Sequence, residues 1–222
     1  MKIQAVLFDM DGVLIDSEKV ICEAAIKGLR QWGIEAKPED FVPFIGGGET
    51  RYLGGPAQQY GVPYDPEMKA VVYDIYAELI KEHPDAVYDG VLDVVKTVMT
   101  KYRASVCSAA DYIKVCHNLK AIGVGPEFFT ALVTGSDVEK QKPNPDIFIK
   151  GAELCGADPG ACVAIDDAIN GVKAANAAGC ISVGITTCFS REELMEKANP
   201  MYVIDDIREF PQLLERIEKE RM

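Results

Sequence analysis

The reactive side chains of this 222-residue sequence fall into four short clusters. They are Asp9-Met10-Asp11-Gly12, Ser108, Lys142 within Lys140-Gln141-Lys142-Pro143-Asn144-Pro145-Asp146, and Asp166-Asp167. Several carboxylates meeting at one point repel one another unless a hard cation sits among them. Mg²⁺ takes a few carboxylate and carbonyl oxygens and leaves its other positions to water and phosphate. A phosphoryl group adds negative charge, which one Lys and one hydroxyl opposite the metal balance. One Asp in line with phosphorus can act as nucleophile. A second, two residues on, can protonate the leaving oxygen and later take a proton from water. Taken singly, each cluster also suits a turn, a helix cap or a surface charge; what points to phosphoryl chemistry is their conjunction.

For the clusters to meet, the chain must bring distant segments to one edge. Short apolar runs at 3–8, 104–107, 131–133, 162–165, 181–185 and 202–204 read as strands buried on both faces, as in a parallel sheet. Helical patterns lie between them at 92–102, 112–122, 146–154, 171–178, 191–197 and 212–219. The alternation predicts a doubly wound α/β sheet in which every strand end points to the same edge. Residues 17–84 break the alternation. Val20, Ile21, Ala24, Ala25, Leu29 and Trp32 make one helical stripe, and 68–80 carries another. The stretch between, with Pro38, Pro43, Gly46-Gly47-Gly48 and Gly54-Gly55-Pro56, reads as loop. The expected organisation is an α/β core from 1–16 and 85–222 and an α-helical cap from 17–84, hinged near 14–17 and 84–88.

Composition narrows the function classes. Apolar residues at 48% and charged residues at 26% are those of an ordinary globular protein. A chain this long buries roughly 70% of its surface, so its core needs neither disulfide nor metal. Lys plus Arg is 23 against 35 for Asp plus Glu, a net charge of −12. Such a chain repels nucleic acid and an anionic membrane leaflet. No 18-residue apolar run is present, and the first apolar run meets Asp9 too early for a secretory leader. Seven cysteines form no CxxC pair and read as reduced core residues, which sets the expectation of a cytoplasmic enzyme.

Asp9-Met10-Asp11-Gly12-Val13-Leu14-Ile15-Asp16-Ser17 resembles the first motif of the haloacid dehalogenase-like (HAD) hydrolase superfamily. Ser108, Lys142-Pro143-Asn144-Pro145-Asp146 and Asp166-Asp167-Ala168-Ile169-Asn170-Gly171-Val172 resemble its second, third and fourth, and the helical insert is similar to the cap of the β-phosphoglucomutase-like branch. The resemblance implies Asp9 as the nucleophile that forms an aspartyl-phosphate. It implies Asp11 as acid/base, lending its backbone carbonyl to Mg²⁺. Ser108 and the Ala109 N–H would hold phosphoryl oxygens, and Lys142 would pair with phosphate and nucleophile. Asp167 would ligate the metal beside Asp9, with Asp166 as a further ligand or its support; Asp166 departs from the Glu frequent there. An acid at position 11 favours phosphoryl transfer over dehalogenation.

Three readings follow. The favoured one is a Mg²⁺-dependent phosphatase acting on a small phosphate ester, a sugar phosphate foremost. The second is a β-phosphoglucomutase-type enzyme. By gap-free counting, Ile21 stands where that mutase has a cap His, Glu78 where it has a Lys, and Glu49 (or Arg51 with a gap) where it has a phosphate-gripping Arg. The third is a catalytically silent binding module. Substrate selectivity is expected from the glycine-rich loop 44–52, through Glu49 and Arg51.

Overall fold

The computed structural model describes residues 2–44 and 48–220, apart from the side chain of Glu49. In chain order the elements are β1 (Ala5–Phe8), α1 (Glu18–Leu29), α2 (Pro38–Phe41), α3 (Glu49–Gln59), α4 (Pro66–Glu82), α5 (Val91–Lys101), β2 (Arg103–Cys107), α6 (Tyr112–Ile122) and β3 (Ala131–Val133). They continue with α7 (Asp146–Leu154), β4 (Cys162–Asp166), α8 (Ile169–Ala177), β5 (Ile181–Ile185), α9 (Arg191–Lys197), β6 (Tyr202–Ile204) and α10 (Phe210–Glu220).

The six strands form one parallel sheet in the order β3-β2-β1-β4-β5-β6. All four residues of β1 are buried, as a central strand covered on both faces requires. Val6 and Phe8 point into the core shared with α5, α6 and α10. Ala5 and Leu7 point into the opposite one, beneath α7 and α8. Phe8 meets Phe210 and Phe129 edge-on, with ring centroids 5.6 and 6.4 Å away, a geometry that adds about 1 kcal/mol per pair beyond burial. Strand order reverses at β1, so a crevice opens where β1, β2 and β4 end.

The strands lie where the apolar runs place them, with small shifts. β4 extends one residue to include Asp166. The expected helix at 171–178 starts earlier, at Ile169.

The larger difference is α3, which runs through Gly54-Gly55-Pro56 in the stretch read as loop. Propensity argues against a helix there, and packing overrides it. Tyr52, Leu53 and Ala57 are buried, Gly54 lies against the Tyr64 ring, and a Cβ on Gly55 would overlap Phe44. The small residues are what let the helix lie this close to its neighbours.

α1 and α4 pack together through Ala24, Ala25, Leu29, Val72 and Tyr76. Gly28 permits the approach, since a Cβ there would come within 2.7 Å of Val72. The chain enters and leaves this helical region along adjacent paths. Asp16 N–H donates to the Ala86 carbonyl at 2.7 Å, and Ile15 bridges Val87 antiparallel. Among the described residues no helix is long and apolar enough to cross a membrane.

Candidate active site

The register of the sheet delivers the four clusters to one edge. Asp9 follows β1, its N–H donating to the Ile165 carbonyl at 3.0 Å. Ser108 follows β2, its N–H donating to the Val133 carbonyl at 3.0 Å. Asp166 closes β4 and Asp167 begins the turn into α8. Lys142 enters from the loop before α7, its ammonium 5.1 Å from the centroid of the Phe148 ring.

The Lys142 ammonium lies 2.5 Å from Asp9 Oδ1 and 2.8 Å from Asp166 Oδ2. Asp166 Oδ1 accepts the Ala168 N–H at 2.9 Å, so both its oxygens are engaged. Asp9, Asp166 and Asp167 are all buried, and each offers a carboxylate oxygen within 4.8 Å of the others. Burial, only partly offset by Lys142, pushes Asp9 up to about 7; Asp166 and Asp11 add to the rise. Asp167 is pushed well above the carboxylate range by burial and then by Asp166 and Asp9. Burial works against the charge of Lys142, but Asp166 and Asp9 outweigh it and hold the ammonium firmly protonated.

Two glycines make this crowding possible. Gly12 has φ +84°, and a Cβ on it would overlap the Asp167 carboxylate. A Cβ on Gly171 would overlap that of Asp166. Gly12→Ala combines left-handed strain with displacement of Asp167. It is expected to cost about 1–3 kcal/mol in thermal unfolding and to lower kcat at least about tenfold, since misplacement by an ångström already costs this much.

Asp11 stands apart from the triad. Its Oδ1 accepts from Ser17 Oγ, from Asn118 Nδ2 at 3.2 Å and from Lys114 Nζ at 3.1 Å. Tyr76 OH donates to Asn118 Oδ1. A cavity of about 620 Å³ joins the two regions. Asp9, Asp11, Ser108, Ala109, Lys142 and Asp167 line it, together with Ser17, Glu18, Ile21, Tyr52 and Lys114. Tyr52 OH donates to Glu18 Oε1 at 3.0 Å, and burial raises Glu18 despite Lys114 nearby.

The structure thus brings Asp9, Asp11, Ser108, Ala109, Lys142, Asp166 and Asp167 to one cavity. Arg51 is exposed on α3 and does not line it; Gly48 and Tyr52 do. Glu49 opens α3, but its side chain, like residues 45–47 of the expected selectivity loop, lies outside the described residues. Lys114, Asn118, Glu18 and Tyr76 are site or supporting residues not anticipated from sequence; Tyr52 belongs to the expected 44–52 segment but is not singled out within it by the sequence. Lys114 and Asn118 sit four apart in a helical pattern where polar residues ordinarily face solvent.

The chain is 39% identical over 210 residues to Protein SUPPRESSOR OF QUENCHING 1, chloroplastic, of Arabidopsis thaliana, covering 93% of this chain but only 20% of that much longer relative. It is 28% identical over 228 residues to Pyrophosphatase PpaX of Bacillus mycoides, covering 98% and 99% of the two chains. The β-phosphoglucomutase structure from Clostridium difficile superposes with a TM-score of 0.76 at 24% identity, covering 97% and 98%. The family profile described as haloacid dehalogenase-like hydrolase matches residues 3–179, so the chain belongs to the haloacid dehalogenase-like hydrolase family.

Proposed function

We propose that this hydrolase is a Mg²⁺-dependent phosphatase that cleaves small phosphate monoesters, sugar phosphates foremost, through a phosphorylated Asp9. The observation that carries the reading is the buried Asp9–Asp166–Asp167 triad served by one ammonium, that of Lys142. Three carboxylates against one cation leave an excess of negative charge at a sheet edge, and an all-oxygen donor set suits a hard divalent ion. Asp9 and Asp167, with the Asp11 backbone carbonyl, would hold Mg²⁺, and Asp166 would anchor Lys142 beside it. The ion, when bound, supplies Lewis-acid neutralisation of phosphoryl charge.

The side chains divide the remaining work. Asp9 attacks phosphorus as the ester O–P bond breaks, while Ser108, the Ala109 N–H and Lys142 hold the phosphoryl oxygens. Asp11 gives its proton to the leaving oxygen. It then takes a proton from the water that attacks the aspartyl-phosphate, which releases phosphate and restores Asp9. Residues 17–84 act as a cap over a core of 1–16 and 85–222, hinged where Asp16 pairs with Ala86, and exclude bulk water. The cavity lining also includes Glu18 and Tyr52, groups that suit a hydroxyl-rich leaving group. Buried, unpaired cysteines such as Cys107 and Cys162 suit a reducing compartment such as the cytoplasm.

Phosphatase is favoured over mutase by two positions. Ile21, where the mutase has its cap His, is an apolar wall residue. Glu78 pairs with Lys81 at 2.6 Å on the exposed side of α4. A phosphate-release screen over phosphorylated metabolites, with Mg²⁺ and with EDTA, tests the proposal. Turnover of sugar phosphates that EDTA abolishes is expected; robust conversion of β-glucose 1-phosphate to glucose 6-phosphate with a bisphosphate activator would establish a mutase instead.

Metal binding also has a sign in pH. Raised folded-state carboxylates bind protons that the unfolded chain has released, so in metal-free protein Asp9 erodes stability as pH rises from about 3.8 to about 7. Mg²⁺ competes with those protons and relieves the repulsion. At saturating Mg²⁺ near pH 8, a gain of roughly 3 kcal/mol, or about 6–12 °C in Tm, is expected. The gain should shrink toward pH 5, and a melting temperature indifferent to Mg²⁺ at pH 8 would count against the site.

A further inference from the structure

The cavity contains a second buried lysine that the proposed chemistry does not use. Lys114 lies in the first turn of α6, which follows the Ser108–Ala109 segment proposed to hold phosphate, and its side chain is only 7% exposed. Its ammonium is directed at Asp11 Oδ1, 3.1 Å away. Asn118, one helical turn further along the same face and fully buried, donates to that oxygen at 3.2 Å. Ser17 Oγ is the third donor. Tyr76 OH donates to Asn118 Oδ1. That bond fixes which way the amide points and commits Nδ2 to Asp11.

All three donors converge on one oxygen. A carboxylate oxygen has about two lone-pair sites, so Oδ1 is saturated; Asp11 lines the cavity with its side chain 31% exposed, which leaves Oδ2 as the oxygen available to a ligand there. We propose that Lys114, supported by Asn118 and Tyr76, is a positioning residue that locks Asp11 by Oδ1 and thereby makes Oδ2 the oxygen that exchanges protons with leaving group and water. The inference rests on the reading of Asp11 as acid/base. It assigns α6 a part in catalysis without contact to the reacting atoms, and it ties the acid/base to α4 through Tyr76.

The test is a double-mutant cycle on the full chain, with phenyl phosphate as substrate and Mg²⁺ present. Its poor leaving group makes proton transfer matter. General acid–base assistance contributes about 10²–10⁴ in rate, so Lys114→Met is expected to lower kcat roughly 10–100-fold with KM within about twofold. Lys114→Arg, which keeps a donor, should recover most of the loss. In an Asp11→Asn background, Lys114→Met should remove nothing more, because its effect runs through Asp11. Tyr76→Phe, nearly isosteric, should lower kcat several-fold in the same way and carries the test if Lys114→Met does not fold.

Three results would overturn the proposal while leaving Asp11 as acid/base: Asp11→Asn crippled but Lys114→Met and Tyr76→Phe unaffected, a loss confined to KM, or losses that multiply in the double variant. Wild-type turnover by Asp11→Asn would instead overturn the acid/base assignment, and this proposal with it.

Discussion

Asp9→Asn is expected to abolish steady-state turnover while leaving the fold intact. The amide is isosteric with the carboxylate, so β1 and its surroundings need not move. Its oxygen, however, carries no charge with which to attack phosphorus. Loss of a covalent nucleophile costs on the order of 4 kcal/mol or more in the barrier, about three decades in kcat. Stability should hold or rise, because the substitution removes a carboxylate that burial already pushes up to about 7. Its strongest stabilising partner, Lys142, keeps Asp166 at 2.8 Å. Phosphate release and thermal unfolding, measured together, check this. A variant retaining more than about a tenth of wild-type kcat would remove Asp9 from the nucleophile's role.

Lys142→Met carries the second large effect, and it falls on stability as well as rate. The ammonium is the hub of the triad, contacting Asp9 and Asp166, and its side chain is only 11% exposed. Removing one partner of a buried ionic cluster leaves the others uncompensated, at about 3–5 kcal/mol. That corresponds to roughly 6–20 °C in Tm for a chain of this size. The loss should be greatest near pH 8 without metal. At pH 5 it should be smaller, because Asp9 and Asp167, already raised, take up protons and shed their repulsion. Mg²⁺ should restore part of the stability but not the activity, since it cannot replace the ammonium proposed to hold phosphate. Thermal melts at two pH values with and without Mg²⁺ read all of this; a pH-independent loss that Mg²⁺ leaves untouched would mean that Lys142 supports the fold by packing alone.

Asp9 and Lys142 are legible in the sequence itself, whereas Lys114 and Tyr76 are not, and the difference is physical. Asp9, Ser108 and Asp166-Asp167 each stand at the end of an apolar run, and parallel strands deliver their ends to one edge. A one-dimensional pattern therefore implies a three-dimensional meeting. The motif residues also cluster tightly in sequence, so the strong short-range geometry of strand and turn places them. The strand at the centre of the sheet is equally legible, because burial on both faces demands an uninterrupted apolar run such as Ala5–Phe8.

Helical residues give no such signal. Lys114 and Asn118 recur at the spacing of a solvent-facing stripe, and nothing local shows that α4 and Asp11 cover them. α3 is hidden for a related reason: Gly54, Gly55 and Pro56 disfavour a helix in isolation, and only close packing against Phe44 and Tyr64 makes them suitable. The choice of Tyr52 rather than Arg51 as the cavity-facing residue of α3 follows from helix rotation, which the same packing sets. By itself, then, the sequence determined the sheet, the order of its motifs and which reactive side chains gather at its edge. The tertiary structure alone decided which helix faces close over that edge and which oxygen of Asp11 is held. Those depend on contacts between residues far apart in the chain, whose free energies no local pattern encodes.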